Sequence, residues 1–216
     1  FEVADAVQRS GRRPLARLAD LDLLNPNLLA VHMTQLTDGE IETCAAHGVQ
    51  VLHCPESNLK LASGLCPVAG LLGAGINVAL GTDGAASNND LDMVGEMRTA
   101  ALVGKLAADN ASALPAHTVL RMATLGGARA LGMAADTGSL TPGKWADCTA
   151  IDLGELETRP LYDPVAQIVY SADRRQVTDT WVAGKRLLRE RELTTIDIEA
   201  LLDRVDAWQA RLDAAS

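Results

Sequence analysis

Ile76-Asn77-Val78-Ala79-Leu80-Gly81-Thr82-Asp83-Gly84 is an apolar run that ends in a glycine-flanked turn carrying a carboxylate. A short continuous apolar run bounded by turn residues is the pattern of a strand buried on both faces. The same pattern lies twice upstream, where Val49-Gln50-Val51-Leu52 leads to His53 and Leu28-Leu29-Ala30-Val31 leads to His32. Helical spacing follows each run: over Asp38 to His47 with Ile41, Cys44 and Ala45 on one face, over Pro67 to Ala74, and over Leu91 to Leu106. Cys54 to Gly64 and Ala85 to Asn89 read as polar loops between strand and helix. Three such units in succession predict an α/β fold with a parallel sheet covered by helices. Their spacing is close to the roughly 30 residues per unit of an eight-unit barrel. Spacing alone leaves a barrel and a doubly wound sheet both open.

Downstream the texture changes. Leu114 to Leu131 reads as two short helices with Gly126-Gly127 between them. Past Gly132 comes the turn-rich Gly138-Ser139-Leu140-Thr141-Pro142-Gly143-Lys144, then a short strand, Cys148-Thr149-Ala150-Ile151. Val177 to Leu188 holds two strand-like runs about the turn Ala183-Gly184-Lys185. Ile196 to Leu212 closes the chain as an amphipathic helix with Ile198, Leu201, Leu202, Val205 and Trp208 on one stripe. The organisation expected is an α/β part over 1–134, a small β region over 135–192 and a C-terminal helix over 193–216. Phe1 to Val7 is a helix-like amphipathic opening with no initiator Met, which reads as something cut from a longer protein.

Composition excludes several classes of function. A chain of 216 residues with 48% hydrophobic and 22% charged residues buries a real core. The formal net charge of -9, with lysines and arginines scattered, argues against a nucleic-acid partner. Cys44, Cys54, Cys66 and Cys148 form no CxxC pair and read as reduced thiols. No apolar run reaches the length of about 18 residues that spans a bilayer. A cytoplasmic protein with no membrane partner is the expectation.

In parallel α/β folds, chemistry collects at the carboxyl ends of the strands. Here those ends carry His32, His53 and Asp83. An isolated histidine is usually a satisfied core or surface residue, so it is the shared position of the three that counts. Asp83 would bear a desolvation penalty unless a cation or several donors faced it, although an Asx-turn or helix cap is the bland alternative. His47 is most simply a helix C-terminal residue, His117 a surface residue and Cys54 a packing residue.

At these positions the sequence stops being generic. His53-Cys54-Pro55-Glu56-Ser57-Asn58-Leu59-Lys60-Leu61 and Gly81-Thr82-Asp83-Gly84-Ala85-Ala86-Ser87-Asn88-Asn89 resemble motifs of the amidohydrolase superfamily. More narrowly they are similar to the methylthioadenosine and S-adenosylhomocysteine deaminases, grouped with the triazine hydrolases. The likeness extends to about Glu199, through Asp163-Pro164-Val165 and Leu193-Thr194-Thr195-Ile196-Asp197. The resemblance implies the C-terminal half of a (β/α)8 barrel plus part of a small β-sandwich. It implies one divalent metal per subunit, usually zinc, with Asp83 as the ligand after the eighth strand. His32 then matches the sixth-strand histidine that contacts the attacking water or the substrate. His53 falls in a pocket-lining loop after the seventh strand, and His53, Ser87 and Asp83 are the substrate-contacting candidates. The remaining ligands of the pattern, an HxH pair and a fifth-strand histidine, and the glutamate proton shuttle have no match here. They are expected upstream of Phe1, in an N-terminal half of the same protein.

The activity implied is hydrolytic deamination of an adenosine-type nucleoside, 5'-methylthioadenosine or S-adenosylhomocysteine, to the inosine product and ammonia. Asp83 would orient the water and take its proton, and His32 would hold the nucleophile or the developing alkoxide. A related enzyme acting on guanine, cytosine or a triazine keeps the same metal site. A fragment without activity, retained for assembly, is the alternative of another class. The resemblance also implies a homo-oligomer.

Overall fold

The computed structural model describes residues 2–214, so Phe1 of the opening stretch and the last two residues of the C-terminal segment lie outside the described residues. Two short helices open the chain, α1 (Glu2–Ser10) and α2 (Pro14–Asp20). The repeating part follows as β1 (Leu29–Val31), α3 (Asp38–His47), β2 (Gln50–His53), α4 (Pro55–Lys60), α5 (Val68–Gly73), β3 (Val78–Leu80), α6 (Ala85–Asn88) and α7 (Met93–Ala107). The strands form a three-stranded parallel sheet in the order β1-β2-β3. In its register Ala30 sits beside Val51 and Val51 beside Val78, while His53 lies opposite Leu80. The α/β expectation is met.

Local chemistry explains where the elements start and stop. Thr37 and Glu40 form a reciprocal capping box that opens α3, and Gly48 closes it at φ 69°. A side chain there would be strained and would press on Pro26, whose Cγ lies 3.2 Å from the position of a Cβ. Asp92 caps α7 by accepting from the Val94 amide at 2.8 Å. Two stretches read as loops are in fact helical. Pro55 at the first helical position turns the start of the Cys54 to Gly64 segment into α4, and Ala85–Asn88 form the single turn α6. Both were hidden by polar composition, because their polar side chains bond to each other, to α7 and to the turn at Asp83.

The two helices expected over Leu114 to Leu131 are one run. α8 (Ala116–Arg121) passes through a π-helical turn, Met122–Gly126, into α9 (Gly127–Ala130). Gly126 and Gly127 do not break it. Gly126 allows a close approach instead: a Cβ there would meet the Val78 carbonyl oxygen at 2.8 Å, and Asn77 Nδ2 donates to the Gly126 carbonyl at 2.9 Å. One apolar core joins sheet and helices, with Val51, Leu71, Ala100, Ala101 and Val119 at 0% exposure.

A second sheet follows, antiparallel and four-stranded, in the order β4 (Cys148–Ile151), β5 (Val177–Val182), β6 (Lys185–Arg189), β7 (Glu192–Leu193). Its hairpins turn on residue pairs with positive φ, Ala183-Gly184 and Glu190-Arg191, as two-residue connections require. Between β4 and β5, α10 (Pro164–Tyr170), capped by Asp163, docks on α7 and α8 and contributes the fully buried Val169 to the main core. The last helix, α11 (Ile198–Asp213), starts at its Asp197 cap and buries no residue. Among the described residues, no helix is long and apolar enough to cross a membrane.

Candidate active site

His32 follows β1 and Asp83 follows β3, the two strands that flank β2, and the two side chains meet across its carboxyl end. His32 Nε2 lies 3.8 Å from Asp83 Oδ2. Both residues occupy left-handed backbone, at φ 69° and φ 63°. His32 is the centre of a three-residue turn closed by the Met33 amide donating to the Val31 carbonyl at 2.9 Å, a rare and strained form when the central φ is positive. Such conformations persist only where the surroundings over-determine them, and they gather at functional sites.

The surroundings do so here. Asp83 Oδ2 accepts from the hydroxyls of Ser57 and Ser87, each at 2.8 Å. Those bonds, the Gly84 amide and the proximity of His32 hold the Asp83 carboxyl below the usual carboxylate range, so it is ionised at neutral pH. His32 Nδ1 donates to Asn58 Oδ1 at 2.9 Å, so Nε2 is the nitrogen turned toward Asp83, an acceptor in the neutral tautomer and a donor in the imidazolium. A ring nitrogen and a carboxylate thus converge. A bridging proton, a water or a cation can join the two.

His53 is placed differently. Its ring is 2% exposed, and neither nitrogen has a hydrogen-bond partner among the described residues. Burial, reinforced by His32, drives its pKa down to about 4, so the ring is neutral at physiological pH. The same loop buries Cys54, which is 2% exposed and has its thiol pushed up to about 11 by burial, as a packing role demands. His47 ends α3 with Nδ1 donating to the Thr43 carbonyl at 2.9 Å, and His117 is exposed on α8.

Sequence reasoning missed a polar brace beneath the site. Glu96 is fully buried on α7, and burial raises its pKa to about 8. Its carboxyl accepts from Asn88 Nδ2 at 2.7 Å and from the Glu56 amide at 3.3 Å. Asn88 also donates to Glu56 Oε2 at 3.2 Å, and the Thr99 hydroxyl donates to Glu56 Oε1 at 2.9 Å. Lys60 Nζ adds a bond to the Ala86 carbonyl at 2.9 Å and one to Asn89 Oδ1. These bonds lock the two motif segments to each other and to α7. A readable signal existed, since Glu96 is a carboxylate on the same helical face as Met93, Met97 and Ala100.

The likeness to known proteins is extensive. The amidohydrolase family profile matches residues 2–187. A 5-methylthioadenosine/S-adenosylhomocysteine deaminase from Teredinibacter turnerae is 48% identical over 213 residues, covering 99% of this chain and 48% of the relative. A crystal structure of an adenosine deaminase from Xanthomonas campestris with bound zinc is 56% identical at TM-score 0.96, over 99% of this chain and 48% of that one. Atrazine chlorohydrolase from Arthrobacter aurescens TC1, complexed with zinc, is 28% identical at TM-score 0.89, over 95% of this chain and 46% of that one. The chain spans about half the length of the curated relatives it matches. With the profile running from α1 to β6, through both motif segments and the β region alike, the chain belongs to the amidohydrolase family.

Proposed function

We propose that this chain is the half of a zinc-dependent adenosine-type deaminase that carries the metal-binding aspartate, and that β1, β2 and β3 are the last three strands of an eight-stranded barrel. On this reading the part expected over 1–134 completes that barrel, the strands β4 to β7 belong to a small β-sandwich while α10 packs back on the barrel helices, and α11 is the terminal helix. An N-terminal half of the same protein supplies the remaining strands and ligands, and the assembled subunit forms a homo-oligomer. The observation that carries the reading is the convergence of His32 Nε2 and the ionised Asp83 from the carboxyl ends of β1 and β3, on either side of β2.

The donor chemistry fits a divalent cation only in part. Among the described residues there is no group of three or more His, Cys, Asp or Glu that could hold a metal ion. Asp83 is the one ligand this chain would contribute. When bound, zinc supplies a water made acidic enough to act as a nucleophile at neutral pH. Asp83, held ionised, would be the metal's ligand from this chain and the carboxylate able to accept a proton from an attacking water. His32, with its proton fixed on Nδ1, presents Nε2 to the nucleophile as acceptor and, once protonated, donates to the developing oxyanion. Ser87, half-buried beside Asp83, and His53 stand as substrate-contact candidates. Addition of water at the amino-bearing purine carbon and loss of ammonia gives the inosine product.

The test is ammonia release from 5'-methylthioadenosine, S-adenosylhomocysteine, guanine, cytosine and a triazine by the full-length protein, with zinc measured in parallel. About one zinc per subunit and turnover of the nucleosides first is expected. A protein that binds no zinc and turns over none of the panel refutes the proposal. Asp83→Asn should abolish zinc binding and turnover together.

A further inference from the structure

Two consecutive residues of α4 hold the two site groups, one each. Ser57, at 0% exposure, donates its hydroxyl to Asp83 Oδ2 at 2.8 Å. Asn58, at 3% exposure, accepts from His32 Nδ1 at 2.9 Å. We propose that Ser57 and Asn58 are positioning residues that set the orientation of the Asp83 carboxylate and the tautomer of His32. The inference rests on the proposed deaminase reading, in which Asp83 and His32 are the groups that need setting.

The chemistry is directional. A neutral imidazole carries one N–H, and the partner of one nitrogen decides the state of the other. With Asn58 Oδ1 as acceptor, the proton is drawn to Nδ1 and the lone pair is kept on Nε2, on the side of Asp83. Without that acceptor the proton can move to Nε2 and donate to the carboxylate, which joins the two site groups to each other and leaves neither free for water. Ser57 acts on the other partner. Its hydroxyl and that of Ser87 both fall on Oδ2, so the carboxylate cannot rotate about its terminal torsion without losing two charge-assisted hydrogen bonds. Oδ1 accepts neither hydroxyl. Ser87 is half-buried, whereas Ser57 is sealed beneath the site, which makes Ser57 the fixed member of the pair.

Neither residue could do this from a mobile loop. Pro55 starts α4, the Glu56 amide is bound by Glu96, and the Glu56 side chain is held by Thr99 and Asn88. α4 is thereby clamped to α7, the longest helix packed in the core. Asn58 Nδ2 has no hydrogen-bond partner among the described residues, so the amide is held by its oxygen alone and its contact with His32 is the one that orients it.

Nitrogen-15 spectra of the full-length protein with labelled histidine test the tautomer, His32 being assigned by its loss in His32→Gln. The wild type should show a protonated Nδ1 and a bare Nε2 at His32. Asn58→Ala should move the proton to Nε2 or average the two states, and Asn58→Asp, which keeps the acceptor, should restore the Nδ1–H form. A wild-type His32 protonated on Nε2, or an unchanged tautomer in Asn58→Ala, overturns the role of Asn58. The wild-type spectrum decides even if the alanine variant does not fold. For Ser57, the alanine variant should lose roughly 10–100-fold in kcat with KM within about threefold, and Ser57→Thr should regain most of it. Loss of kcat that threonine does not restore overturns the role of Ser57. The spectra do not depend on turnover, so a protein without zinc or deaminase activity would sink the functional reading while leaving the tautomer question answered.

Discussion

The two long helices of this chain look alike on paper and behave oppositely in the fold. α7 spans Met93–Ala107 and α11 spans Ile198–Asp213, each opening on an aspartate cap and each with an apolar stripe at helical spacing. α7 buries Val94, Met97, Ala100, Ala101 and Gly104 against the sheet and α10. α11 buries nothing: Leu202 is 55% exposed and Trp208 59%. A stripe therefore tells which face of a helix is apolar, and says nothing of what covers it. That information is non-local, held in the strands and loops that bring a partner surface to one helix and not to the other.

The contrast can be broken by measurement. Met97→Ala, at a site 5% exposed, should cost the chain about 2–5 kcal/mol in a denaturant titration. A loss below ~1 kcal/mol would mean α7 is no better packed than α11. Gly126→Ala should cost roughly 1–3 kcal/mol, since the new methyl would push on the Val78 carbonyl through the π-helical turn. Glu96 gives the α7 face a pH signature. Its folded pKa, about 8, lies above the unfolded carboxyl value, so the folded state binds the extra proton between the two. The stability associated with Glu96 is full below about pH 4.5 and drains away as pH rises through about 8. Glu96→Gln should flatten that slope, and an unchanged slope would place the titration elsewhere. At the small end, Leu202→Ser on α11 should shift stability by no more than ~0.5 kcal/mol. A drop above ~1.5 kcal/mol would show that α11 is covered after all.

Much of the fold was legible in the sequence because strand, turn and helix signals there are local. The three parallel runs, the α3 boundaries and the Ala183-Gly184 hairpin all rest on side-chain periodicity or on residues that tolerate positive φ. α4 and α6 were read as loops because their buried faces are polar: Ser57, Asn58 and Asn88 serve neighbouring segments, and a hydrophobic count sees only hydrophilic residues. Gly126-Gly127 was read as a break because glycine is costly in a free helix, whereas here packing against β3 selects glycine at 126, and the helix runs on through 127. At the site, His32 and Asp83 were found from strand ends and motif likeness. Ser57, Asn58 and Glu96 came to light only with hydrogen-bond geometry, which composition does not encode.

The left-handed backbone at His32 and Asp83 bears on how loss-of-function variants should be interpreted. A glycine at either position would delete the proposed functional group and at the same time release the torsional strain stored there, so a gain in thermal resistance would accompany the loss of the side chain. An asparagine tolerates the same torsions; it matches the reach of Asp83, and at His32 its amide extends only as far as Nδ1. Asparagine replacements would therefore isolate chemistry from conformation at these two positions, while glycine replacements would register how much stability the fold gives up to hold them in place.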